Sequence, residues 1–429
     1  MTGLFDDGRF RLGVGIEDTF VPQTSPGHRR LEEYELTQHY EHLDEDLDLA
    51  AGSGASIVRY GLPWYRLNPE PGRYVWDWAD RAIDGLLARG LDPVVDLVHY
   101  GTPTWLDNQF VNQLYPDAVA DYAAAVAARY GDRVRAWTPL NEPQWTARLC
   151  GESATWPPAL RGDDGYLRVM TSICRGIVLT QQAIAAASAL DPTFVHVEAT
   201  FRYDVAPGTT SEAAELLAQR RFLALDLVTG RVDAHHLLAG YLDRHGAAGD
   251  LDWFAQNAVR PGVLGLNYYP MWSTLEYAGD GRVGSERDDG VAGLEDVLRV
   301  YGARYGVPLM VSETSFEGSE AEQVAWLESS VGRVLALRDE LPIVGYVWWP
   351  LFDQVKWQYR EGDEPLEAFL HRIGLVALVP DDVGRLDRRP TPVHQSFLRI
   401  ASAVRELPGA ATARAAQMKH TTEKRREVE

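Results

Sequence analysis

Val134-Arg135-Ala136-Trp137-Thr138-Pro139-Leu140-Asn141-Glu142-Pro143 is a short, strand-like run that delivers a glutamate at its C-terminal end and is closed by a proline. Pro308-Leu309-Met310-Val311-Ser312-Glu313 repeats the pattern, with its glutamate 171 residues further on. Working outward, β-rich runs alternate with longer helical patterns, which points to parallel βα units rather than a sandwich. The strand candidates are Phe10 to Glu17, Ala55 to Gly61, Pro93 to Tyr100, Val134 to Leu140, Phe194 to Thr200, Val263 to Tyr269, Pro308 to Glu313 and Ile343 to Trp349. Helical patterns fall between them at Leu36 to Ala51, Trp78 to Arg89, Ala118 to Tyr130, Tyr166 to Leu190, Ser211 to Val228, Leu294 to Tyr305 and Glu322 to Leu341, and a last one runs from Val393 to Glu406. Eight such units predict an α/β fold, a single (β/α)₈ TIM barrel with its chemistry at the C-terminal ends of the strands.

No Gly/Ser/Pro linker or internal repeat interrupts the pattern, so residues 1–408 are expected to form one barrel domain. Residues 409–429 turn to Ala, Thr, Lys, Arg and Glu, with Met418 and Val428 the larger apolar side chains, and are expected to be a disordered charged tail. Two long connections, Asn141 to Gly165 and Tyr268 to Gly293, are expected to overhang the barrel mouth.

The 429 residues are 45% hydrophobic and 24% charged, which is ample for a large core. With 62 acidic against 41 basic side chains the net charge is -21, so nucleic acid and anionic membranes are unsuitable partners and a neutral or small ligand is expected. Cys150 and Cys174 are too few for a disulfide framework and read as buried thiols in a reducing compartment. The first residues lack a signal-peptide core and no run is long enough to span a bilayer, so a cytoplasmic location is expected. A homo-oligomer stays open as a further partner.

Glutamates at the ends of the fourth and seventh strands would meet at one rim of a barrel. Such a pair suits hydrolysis of an acetal, where one carboxylic acid protonates the leaving oxygen and a carboxylate on the opposite face of the sugar acts as nucleophile. That chemistry calls for no metal or organic cofactor.

From about Phe10 to Glu406 the chain resembles the retaining β-glycosidases of glycoside hydrolase family 1. The acid/base motif of that family is similar to Thr138-Pro139-Leu140-Asn141-Glu142-Pro143, with one extra residue, and its nucleophile motif to Ser312-Glu313-Thr314-Ser315. Further matches are Val58-Arg59-Tyr60, His99-Tyr100 (His-Trp in the family), Gly265-Leu266-Asn267-Tyr268-Tyr269, and Gly345-Tyr346-Val347-Trp348-Trp349 followed by Asp353 and Trp357. The resemblance implies Glu142 as acid/base and Glu313 as nucleophile, with Arg59 and Tyr269 donating to the Glu313 carboxylate. It also implies a small glycoside as partner, with Asn141, His99 and Asn267 in the substrate site. Trp349 and Trp357 would offer flat apolar faces to the sugar.

The glycone-binding segments depart from the family. The first-strand glutamine is missing from Gly13-Val14-Gly15-Ile16-Glu17-Asp18, and Lys356 stands before Trp357 where the family has a glutamate. Lys356 is the only lysine before Lys419, and it is expected to point into the glycone pocket, meeting a sugar hydroxyl or a carboxylate such as Glu17. The leading expectation is an exo-acting, β-glucosidase-like hydrolase. A transglycosylase or a glycosidase with an atypical glycone stays open beside it, as does an inactive carbohydrate-binding barrel.

Overall fold

The computed structural model describes residues 3–22, 26–206, 211–277 and 283–406. Eight parallel strands close into a barrel: β1 Arg11–Ile16, β2 Ile57–Gly61, β3 Asp92–Asp96, β4 Ala136–Thr138, β5 Thr193–Ala199, β6 Val263–Asn267, β7 Leu309–Glu313 and β8 Ile343–Trp348. They pair in chain order and β8 closes on β1, with Arg11 against Gly345. All eight strands lie where the sequence predicts them, because strands covered on both faces need contiguous apolar runs. Three end at least two residues early: β3 stops at Asp96, β4 at Thr138 and β6 at Asn267, short of the predicted Tyr100, Leu140 and Tyr269. Tyr100 has a positive φ of 70°, which extended backbone does not permit.

Helices cover the outside with apolar stripes at three- and four-residue spacing. Ala79, Ala82, Ile83 and Leu86 are the buried face of Asp77–Ala88, and Glu320–Leu337 starts with a capping box between Ser319 and Glu322. The predicted helix from Leu36 to Ala51 is two, Glu33–Leu36 and Leu43–Gly52, with Gln38 at φ 59° in the break. A three-stranded sheet of Val283–Arg287, Thr274–Tyr277 and Arg202–Val205 grows out of the connections after β5 and β6. The predicted tail, 409–429, lies outside the described residues.

Alternate residues of the strands fill the barrel interior: Ile57, Val94, Ala136, Val195, Val197, Val263, Met310 and Val347 form one buried cluster, joined by Leu4 and Phe5 from the N-terminal segment. Val197 and Val347 reach toward the C-terminal ends of their strands, while Ile57, Ala136 and Val263 open theirs and pack with Leu4 and Phe5 to shut the bottom of the barrel. Further along the same faces, apolar side chains give way to Arg59 on β2 and Asp96 on β3, each two residues on, and to Asn267 on β6, four residues beyond Val263. On β7 strict alternation would send Glu313 outward. The register with β6 slips between Val311 and Glu313, which sets Glu313 beside Asn267.

Candidate active site

Arg59 is completely buried and faces three carboxyl groups. Its Nη1 donates to Glu313 Oε1 and lies 3.3 Å from Glu17 Oε1, while Nη2 donates to Asp96 and, at 2.7 Å, to Asn141 Oδ1. Tyr269 completes the setting of Glu313 from the other side, its hydroxyl donating to Oε2 at 2.8 Å. One guanidinium for three acids leaves an excess of negative charge. Glu17 sits in that excess: burial first, then the charges of Glu313 and Asp96, push its carboxyl well above the usual range despite Arg59. Gly15 makes room for it, since a Cβ there would fall 2.7 Å from Glu17 Oε2 and 2.5 Å from Trp349 Cδ1.

Glu142 has a different environment. It is the residue before the short helix Pro143–Ala147 and adopts the left-handed conformation, φ 46°, which is costly for a side chain with a Cβ and persists only where the surroundings impose it. Asn267 Nδ2 donates to its Oε1 at 2.7 Å and the Tyr100 hydroxyl donates to Oε2. Tyr100 is itself left-handed, and its ring is held edge-on by Trp156 and Trp357. Burial raises the Glu142 carboxyl to about 8, helped by the negative charge of Glu313, and the bonds from Tyr100 and Asn267 pull the other way. One carboxylate is thus clamped by a cation while the other holds its proton at neutral pH.

Both glutamates open onto a cavity of about 610 Å³ at the C-terminal ends of the strands. Of the predicted substrate-site residues, His99, Asn267, Tyr269, Trp349, Lys356 and Trp357 line it. Arg59, Asn141 and Glu17 stand behind the wall and act through Glu313, His99 and one another: Asn141 Nδ2 is 3.4 Å from His99 Nε2, and His99 Nδ1 is 3.1 Å from Asp96. Sequence reasoning missed Tyr100 as a partner of Glu142 and Asp96 as the second anchor of Arg59. An aspartate closing β3, two residues beyond the level of Arg59 on the neighbouring strand, was the available signal for the latter.

Lys356 sits at the rim, with its side chain 38% exposed, and its ammonium bonds Glu317 Oε1 at 2.7 Å instead of Glu17. Glu317 in turn lies 3.6 Å from His371, which burial keeps neutral, lowered to about 4. A half-exposed pair of this kind is worth about 0.2–1 kcal/mol. Lys356→Ala is therefore expected to change kcat/KM by no more than about fivefold, and to leave the ranking of sugars unaltered. A reversed ranking on an aryl glycoside panel would return the lysine to the sugar.

The model for glycosyl hydrolase family 1 matches residues 5–227. Thermostable beta-glucosidase B of Thermobispora bispora is 26% identical over 362 residues, 75% of this chain and 74% of that enzyme. Beta-glucosidase 26 of rice is 31% identical over 146 residues, which are 32% of this chain but only 28% of the plant protein. Among solved structures, the beta-glucosidase from Thermotoga maritima in complex with azafagomine superposes with a TM-score of 0.79 over 93% of this chain and 99% of that one. At 19% identity that likeness speaks for the barrel and not for a substrate.

Proposed function

The chain belongs to glycosyl hydrolase family 1, and on that premise we propose that it is a retaining, exo-acting β-glycosidase of the β-glucosidase type. Glu313 attacks the anomeric carbon, and Glu142 protonates the departing oxygen and then, as a base, activates water against the glycosyl-enzyme. The observation that carries this reading is the contrast between the two carboxyl groups: Glu313 bound by Arg59 and Tyr269, Glu142 raised to about 8 beside it. Once Glu313 is esterified its charge is gone, one cause of the raised value disappears, and Glu142 is free to act as base. A blind cavity walled by Trp349 and Trp357 favours the end of a saccharide over its middle. Cys150 and Cys174, buried and unpaired, support a cytoplasmic setting.

The test is a panel of aryl β-glycosides followed by inactivation with a 2-deoxy-2-fluoro glycoside. Hydrolysis with the label on the peptide that holds Glu313 is the expected result, and a label elsewhere removes Glu313 from its role. A second reading, transfer of the glycosyl group to an acceptor other than water, draws on Trp145 and Trp272, which bring aromatic faces to the cavity wall. Product analysis at high acceptor concentration separates the two.

Glu142 must be protonated to start the reaction, so the alkaline limb of kcat/KM is expected to fall as the pH rises through about 8. The Tyr100 hydroxyl is one of the groups holding that value down. Tyr100→Phe should therefore move the alkaline limb upward and cost roughly tenfold on substrates with poor leaving groups, the scale of one hydrogen bond to a charged group. A limb that stays in place would show that Tyr100 does not address the proton on Glu142.

A further inference from the structure

One stretch of the cavity wall bonds to neither catalytic carboxylate and is nevertheless polar. Thr19, Glu33 and Gln354 line it, as does Trp357, which follows Gln354 by three residues. Glu33 is 2% exposed and starts the helix Glu33–Leu36; its Oε2 accepts the Val355 N–H at 3.1 Å, and its own N–H is bonded to the Thr19 carbonyl. Gln354 is 3% exposed, and its Oε1 has no hydrogen-bond partner among the described residues. Gln354 and Val355 form a two-residue strand against Leu370–His371, so the backbone that carries one acceptor also anchors the other.

The plain alternative is that Glu33 only ties its short helix to Val355. That accounts for one carboxyl oxygen and leaves the bare Gln354 oxygen unexplained. Buried acceptors are retained where a donor arrives to meet them. Two acceptors beside a flat indole make the combination that recognises a polyhydroxylated ring, its hydroxyls donating and its C–H face stacking.

We propose that Glu33 and Gln354 read the outer hydroxyls of the glycone, those on ring carbons remote from the anomeric centre, and that the sugar they select is a neutral hexopyranose. Remoteness follows from connectivity, because neither side chain bonds to Glu142, Glu313 or the groups that hold them. Neutrality follows from desolvation. A uronate or a sugar phosphate would bring an anion to a wall where burial already holds the Glu33 carboxyl well above the usual range, while the ammonium of Lys356 is engaged by Glu317 at the rim.

The assignment rests on the glycosidase reading above, and the experiment keeps the two apart. The aryl β-hexopyranoside that wild type hydrolyses fastest is compared with its 3-, 4- and 6-deoxy counterparts, in wild type and in the similar-volume variants Gln354→Met and Glu33→Gln. Each result is a ratio of kcat/KM values on one enzyme preparation, so it is insensitive to the fraction of folded protein. In wild type at least one deoxy sugar is expected to lose roughly ten- to hundredfold. In Gln354→Met that penalty should shrink to within about threefold, and in Glu33→Gln one penalty should fall by at least about threefold, with the remaining ratios unchanged. Wild-type penalties all below about threefold, or variants that reproduce the wild-type ratios, overturn the assignment and leave the glycosidase intact. Wild type that hydrolyses no aryl glycoside sinks the underlying reading instead.

Discussion

Glu313→Gly is expected to slow hydrolysis of aryl β-glycosides by roughly 10⁴- to 10⁶-fold, the range in which loss of one member of a catalytic unit falls. The carboxyl groups that share Arg59 with it cannot take its place, since Glu17 and Asp96 are buried behind the cavity wall. The fold should survive, because Arg59 keeps Asp96, Glu17 and Asn141 and is not left as a bare buried charge. Added azide should restore turnover from the vacated side of the sugar, giving a glycosyl azide of inverted anomeric configuration. Residual activity within tenfold of wild type, or azide without effect on rate or product, would place the nucleophile elsewhere.

For Glu142→Ala the loss should depend on the leaving group. Substrates with a poor leaving group need proton donation and should slow by about 10²- to 10⁴-fold, whereas dinitrophenyl glycosides form the glycosyl-enzyme nearly as fast as before. Azide should then relieve the second step, where the general base is missing, and give a product of retained configuration. A uniform loss across leaving groups, with no response to azide, would make Glu142 a structural residue.

Strand positions were legible because each barrel strand is buried on both faces, which leaves an apolar run with a functional side chain at its end. Glu142 and Glu313 stood out for that reason, although the slip of register that sets Glu313 beside Asn267 leaves no mark in the sequence. Nor was the left-handed backbone at Tyr100 legible: a tyrosine has no local preference for it, and the rings of Trp156 and Trp357 that pack edge-on against it come from distant parts of the chain. Lys356 announced itself by its rarity, but its partner, Glu317, is 39 residues away and comes near only when β7 and β8 are side by side. Glu33 carried no signal at all, since a glutamate at the start of a helix is ordinary until a cavity is found next to it.

Leu4 and Phe5 join the packed side chains at the bottom of the barrel, and that plug imposes a traffic rule. A bound sugar has no back door. On the exo-glycosidase reading proposed above, the aglycone would leave first, and the sugar would follow it through the same opening. A sugar still in place would then stand where the next substrate must enter.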